Sequence, residues 1–346
     1  MGRTGIKDVA REAGVSITTV SKALNGYSDV KPETKKRIQQ IAQRLNYMPD
    51  ANARSLGGKA RKNLAYLVSG LAKQDESGFV YGMLSGMYQA SLDHQFDFII
   101  LTTNAAKQGE LSYIQLCRQK NIDGVLVSGL NINEPYYREL MNSEIPCVVM
   151  EGEYKSKNVC GLSIDNARAA YDVTHYLIGM GHKKIALMNG KSTATVSQRR
   201  LKGYLQAMAE AGLETGEAWV ENGEFDEDEA YRATFRLLDN CLGVTAIFCS
   251  SDLMAIGVLR ALKERGLKVP EDISVIGFDD IPVARYINGG LTTVAQDPYE
   301  MGRIGGEILY HMITEKKEYG HVYVPYQFVK RNTVKVYYPA NRTVNT

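Results

Sequence analysis

No stretch of this 346-residue chain approaches the run of about 18 apolar residues that a helix needs to cross a bilayer, so no membrane span is expected. The N-terminus, Met-Gly-Arg-Thr-Gly, lacks the apolar segment of a secretory signal. Cysteine is scarce. The five residues, Cys117, Cys147, Cys160, Cys241 and Cys249, are scattered, odd in number and without a CxxC pair. That excludes a disulfide framework and a zinc knuckle, and it predicts small buried residues in a reducing compartment. The five histidines show no metal-ligand spacing, and His175 and His182 read as structural. Trp219, the single tryptophan, is expected to pack rather than to stack on a ligand. No GxGxxG, GxxxxGK[ST] or GxSxG motif occurs. These gaps predict a chain with no catalytic residue, no cofactor and no metal, hence not an enzyme, and they place it in the cytoplasm.

What the chain has is an uneven charge. Residues 1–62 carry thirteen Lys or Arg against five Asp or Glu, a net of +8, in a chain whose total is +2; the remainder is therefore −6. A small basic head on an acidic body is the electrostatic footprint of a nucleic-acid-binding module. Within the head, Ile6, Val9, Ala10 and Ala13 recur at helical spacing. Gly14 stands where a left-handed residue would end that helix, and Ser16 stands where an N-cap belongs. Val20, Ala23 and Leu24 form a second stripe. They leave Ile17, Thr18, Thr19, Ser21 and Lys22 outward on a face that is small, hydroxyl-bearing and basic. Pro32 opens a third helix with Ile38, Ile41, Ala42 and Leu45 inward. The spacing predicts a helix-turn-helix whose second helix enters a major groove.

The run "IKDVAREAGVS…TVSKALNG…V.PET…I…LNY.P.ANARSL", from Ile6 to Leu56, resembles the signature of the lactose/galactose repressor (LacI/GalR) family of bacterial transcription regulators, and the resemblance continues along the chain. It implies a lambda-repressor-like helix-turn-helix domain over 1–49 and a hinge over 50–60. An effector-binding body over 61–335 and a tail over 336–346 follow. Asp50 can cap a helix over 51–56 ended by Gly57-Gly58, but a helix under three turns long is unstable in water alone. The resemblance supplies its partner: the hinge helices of two subunits pair in the minor groove, with Ala53 at the contact and Leu56 as an apolar wedge. Ile17, Thr18 and Lys22 then face base edges, Thr19, Ser21 and Asn25 serve phosphates and register, and Ser16, the N-cap, belongs to the same DNA-binding set.

From Asn63 the chain alternates strand-like and helix-like segments. Strands are expected at 64–69, 96–101, 124–127, 147–150, 184–188, 245–249 and 273–278. This rhythm predicts doubly wound parallel sheets covered on both faces, and at roughly 285 residues the body should form two lobes. The resemblance implies the two-lobed type I periplasmic-binding-protein-like architecture. Its first lobe covers about 61–161 and 292–324, its second about 162–290 and 325–335. The chain crosses near 160–164, 289–292 and 323–327, and the ligand lies between the lobes at the strand ends.

At family positions the effector would meet Arg200, with Arg199 facing outward, and Asp279, with Asp280 next to it. It would also meet Ser69, Phe79, Glu151, Phe225, Ser251 and Gln296. The expected partners are double-stranded operator DNA, a sugar-like small-molecule effector and a second copy of the chain, with no membrane; a protein co-repressor in place of the small molecule is the alternative. The match departs from the family in four places. Lys73 stands where an apolar residue is usual, and "DESGF" replaces "NPFF". Gly5 replaces a hydroxyl residue, and Asp29 puts a negative charge near the DNA side.

Overall fold

The computed structural model describes residues 5–24, 27, 29–45, 47, 62–71, 77–152, 154 and 156–338. The chain divides into a head, Met1–Lys62, and a body, Asn63–Thr346.

The head holds α1 (Ile6–Ala13), α2 (Ile17–Leu24) and α3 (Pro32–Arg44). Gly5 opens α1, and its N–H donates to the Asp8 carboxylate at 2.9 Å. Gly14 ends the helix at φ 63°, a conformation that costs a residue without a Cβ least. Ser16 Oγ accepts the Thr19 N–H at 3.1 Å and so caps α2. The apolar stripes converge on Val9, Ala10, Ala13, Val20, Ala23, Ile38, Ile41 and Ala42. Arg37 donates to the Ala13 carbonyl at 3.1 Å, satisfying an orphan acceptor at the end of α1.

The body begins with β1 (Asn63–Ser69), α4 (Phe79–Asp93), β2 (Asp97–Thr103), α5 (Ala105–Glu110) and α6 (Tyr113–Gln119). Then come β3 (Gly124–Ser128), α7 (Pro135–Leu140), β4 (Cys147–Met150), β5 (Val159–Ser163) and α8 (Asn166–Gly179). Next are β6 (Ile185–Asn189), α9 (Thr195–Glu210), β7 (Val220–Asn222), α10 (Glu227–Asn240), β8 (Ala246–Cys249), α11 (Asp252–Glu264) and β9 (Ser274–Ile276). The last elements are β10 (Thr293–Ala295), α12 (Pro298–Thr314), β11 (His321–Tyr323) and β12 (Gln327–Val329).

The first lobe is a six-stranded parallel sheet in the order β11-β5-β4-β3-β1-β2. β1 alternates its side chains between two cores. Leu64, Tyr66 and Val68 join α4 and α12, while Ala65 and Leu67 join α6 and α7. The second lobe is the parallel sheet β7-β6-β8-β9. Single bridges at Ile276–Thr292 and Asp279–Ala295 extend it to β10, which pairs antiparallel with β12. Strands buried on both faces often read as continuous apolar runs, as β1, β3, β4, β6 and β8 do, whereas β5, with Gly161 and Ser163, is buried without forming such a run.

Two boundaries differ from the sequence reading. Residues 160–163 are not a crossing but part of β5, and the chain passes over between Ser163 and Asn166. Thr293–Ala295 lies on the second sheet, so the second crossing comes after Ala295 and not at 289–292. Short edge strands such as β10, with three residues, give too little periodicity to assign to a lobe. All five cysteines are buried and free, and Trp219 packs in the core of the second lobe. His182 is buried. Its ring contacts Thr245 Oγ1 at 3.0 Å and the Lys335 carbonyl at 3.1 Å, and the Tyr337 N–H donates to the Met180 carbonyl at 2.7 Å; the start of the tail is thus strapped to the second lobe. Residues 339–346 lie outside the described residues.

Candidate functional site

On the head, α2 presents Ser16, Ile17 and Thr18 to solvent, with Thr19, Ser21 and Lys22 partly exposed. Ile17 is 44% exposed. Ser16 and Thr19 share a hydroxyl–hydroxyl hydrogen bond of 2.9 Å. Lys22 Nζ donates to Asp29 Oδ2 at 2.5 Å. Asn25, Ala53 and Leu56 lie outside the described residues, as does Lys73.

On the body, a cavity of about 710 Å³ opens at the carboxyl ends of the strands, lined by residues of both lobes. Of the eight effector candidates, Ser69, Phe79, Glu151 and Phe225 line it. Ser69 ends β1, and its hydroxyl donates to the buried Glu134 at 2.6 Å. Phe79 starts α4. Phe225 follows β7 at φ 59° and lies over Gly190, where a Cβ would come within 2.1 Å of the ring, so only glycine fits there.

Arg200, Ser251, Asp279 and Gln296 are not on the wall. Ser251 caps α11, its Oγ accepting the Met254 N–H at 3.1 Å. Gln296 Nε2 donates to Asp279 Oδ1 at 2.7 Å. Arg200, 4% exposed, donates through Nε to Asn166 Oδ1 at 2.9 Å and through Nη1 to the Ser250 carbonyl, and it lies 3.5 Å over the Phe278 ring. Asn166 Nδ2 in turn donates to Glu151 Oε2 at 2.7 Å. A continuous hydrogen-bonded path thus runs from the wall at Glu151, through Asn166, to the buried guanidinium. Arg199 corrects an expectation. It is only partly exposed, and its Nη1 lies 3.6 Å from Glu151, because a carboxylate in the cleft attracts it inward. Asp280 pairs with Arg331 at 2.6 Å.

Burial pushes the Glu151 carboxyl up to about 7 against the pull of Arg200, Arg199 and Asn166. Burial likewise raises Asp279 to about 6, opposed by Arg200 and Gln296. A carboxyl whose pKa rises on folding holds its proton better in the folded state. Its stabilisation is therefore full below about pH 4 and is lost as pH climbs through 6 to 7. Removing the Glu151 charge in Glu151→Gln should flatten the fall in body stability between pH 5 and 8 by on the order of 2 kcal/mol, read from melting curves at each pH. Parallel curves for variant and parent would refute this.

The sequence reading did not select Asn166, Asn131, Tyr137, Tyr154 or Thr195. Asn131 and Thr195 follow β3 and β6 and line the cavity with Tyr137 and Tyr154. Their position just after a parallel strand is the signal that could have found them. Asn166 follows a crossing and carries no motif. Tyr154 is buried with its hydroxyl unpartnered among the described residues, and the first turn of α9, at Thr195, has no side-chain cap.

Comparison with known proteins agrees with this architecture. Residues 5–50 match the family described as bacterial regulatory proteins, lacI family, and residues 174–334 match a periplasmic binding protein-like domain. The HTH-type transcriptional repressor PurR of Vibrio campbellii is 36% identical over 332 residues, covering 95% of this chain and 98% of that one. Catabolite control protein A of Priestia megaterium is 31% identical over 333 residues, covering 95% and 99%. A solved complex of the transcriptional regulator CelR with cellobiose superposes with a TM-score of 0.68 at 29% identity, covering 96% of this chain and all of that one. With a helix-turn-helix head and a two-lobed binding body on one polypeptide, and relatives matched along nearly its whole length, the chain belongs to the lacI family of bacterial DNA-binding transcriptional regulators.

Proposed function

We propose that the chain is an operator-binding repressor that works as a homodimer and is controlled by a sugar or sugar derivative in the interlobe cavity. The observation that carries this reading is the 710 Å³ cavity between two lobes on a chain that also bears a DNA-binding head. The aromatic rings of Phe79, Tyr137, Tyr154 and Phe225 suit the apolar face of a sugar. Glu151, Asn131, Thr195 and the free Tyr154 hydroxyl suit its hydroxyls. The regulator 29% identical to this chain that was solved with cellobiose supports a carbohydrate. On the head, Ile17, Thr18 and Lys22 read bases, Thr19, Ser21 and Asn25 hold phosphates, and Ser16 caps the helix at the DNA. Ala53 and Leu56 act at the hinge.

Two measurements on the full chain test this. Selection from a random duplex library should return a two-fold symmetric motif, as two heads on a symmetric dimer require. Affinity for that motif should fall about 10³-fold or more between 50 and 200 mM salt if six or more phosphates are contacted. A thermal-shift screen of sugars, sugar phosphates and nucleobases should yield a sugar-like compound that raises the melting point and changes operator affinity. No preference over random DNA would refute the regulator reading. DNA binding without any small-molecule hit would move control to a protein co-repressor.

A further inference from the structure

The described acidic residues of the head, one apart, sit at a helix start or join two helices. Asp8 accepts the Gly5 N–H and pairs with Arg11. Glu12 pairs with Arg44 and ties α1 to α3. Glu33 lies in the first turn of α3, where the helix dipole favours an acid. Asp29 does none of these. It lies between α2 and α3 and accepts from Lys22 of the exposed α2 face, with side chains 53% and 44% exposed. The hydrogen bond to Asp29 raises the Lys22 pKa, so the ammonium stays charged. An exposed ion pair of this kind contributes little to folding. A carboxylate on a DNA-facing surface also repels every phosphate, so it weakens binding to all duplexes. A contact that hardly stabilises the head and opposes general binding has its use in discrimination.

We propose that Asp29 is a specificity-determining residue, holding Lys22 so that its ammonium serves a base edge and not the phosphate backbone. The inference rests on the reading of α2 as the recognition helix. Lysine is a point charge on a flexible four-carbon stem with three donors, able to reach many phosphates when unrestrained. To reach a phosphate on arbitrary DNA, Lys22 must leave Asp29 and strand that carboxylate against the polyanion. At a cognate site it stays on Asp29 and turns its remaining N–H groups to O6 and N7 of a guanine. The same pair thus lowers affinity everywhere and lowers it least where guanine is correctly placed.

The test uses the full-length parent, Asp29→Asn, Lys22→Ala and the double variant. Each is measured for affinity to a random-sequence duplex across a salt series and for base preference by selection from a random library. Asp29→Asn should bind the random duplex about tenfold more tightly at low salt, with a log-log salt slope steeper by about one. Its selected motif should lose information at the positions that Lys22→Ala also blurs. In the Lys22→Ala background the same change should leave the motif as it is. Asparagine keeps the shape of the side chain, and an unchanged melting point would show that the head is intact. A motif and random-duplex affinity equal to the parent's in Asp29→Asn would overturn the inference, as would the same motif change in both backgrounds. If Lys22→Ala left the motif untouched, the assignment of Lys22 to a base edge would fall, and this inference with it, while the recognition-helix reading would still rest on Ile17 and Thr18.

Discussion

Replacing Arg200 by alanine is expected to lower the melting temperature of the body by roughly 10 °C and to abolish the response to any effector. The guanidinium is buried, donates to Asn166 and Ser250, lies on Phe278, and offsets the charges of Glu151 and Asp279. Removing one member of a buried charged cluster leaves the others uncompensated, at a cost of about 3–5 kcal/mol. A body of this size loses about 2–4 °C for each kcal/mol. Part of the loss will be relieved because Glu151 and Asp279, both shifted upward already, can take up protons. The destabilisation should therefore be larger at pH 8 than at pH 5. Arg200→Lys should recover only a fraction, since one ammonium cannot reproduce the planar fork that spans Asn166 and Ser250. Calorimetry at the two pH values checks the prediction. A variant melting within about 2 °C of the parent at pH 8 would show that the cluster is not held by this residue. The effector response should vanish even though Arg200 is not on the cavity wall, because Asn166 connects it to Glu151, which is.

The second large effect concerns the head. Val20→Asp should cost at least 10³-fold in operator affinity while leaving the body's melting transition unchanged. Val20 is fully buried in a core that holds eight buried residues among the described ones. A core that small leaves little reserve, and an unpaired buried carboxylate costs several kcal/mol. The three helices would lose their packing, and the surface around Ile17 would lose its shape. Mobility-shift titration alongside a two-transition melting curve separates loss of the head from loss of the whole chain. Retained operator affinity within tenfold of the parent would mean that Val20 is not at the centre of the head.

Much of this was legible in the order of residues, for reasons that differ between the two units. In the head, local signals locate three helices, the end of the first and the starts of the other two, because amphipathic stripes, Gly14, Ser16 and Pro32 act within one or two turns. In the body, the apolar runs of β1, β3, β4, β6 and β8 match the expected strands to within a residue or so at either end, while β5, which is buried but not an apolar run, is legible only in the fold. The three-residue strands β10, β11 and β12 are too short to show a period, and β10 bridges to the second sheet. Their pairing is decided by long-range partners such as Val294 with Phe328.

The site divides in the same way. Arg200 and Asp279 are expected as ligand contacts from their family positions. The partners they have here are Asn166, the Ser250 carbonyl and Gln296. Arg199, expected outward, is drawn in by the carboxylate of Glu151 from the other lobe. The sequence by itself determined which helices form, which faces are apolar, and that a basic head precedes a two-lobed acidic body, since each of these depends on neighbours along the chain. Only the tertiary structure decided that Glu151, Asn166 and Arg200 form one path and that Lys22 is held by Asp29. Those contacts join residues brought together by packing, and the strength of a charge interaction depends on distance and burial, which residue order does not contain.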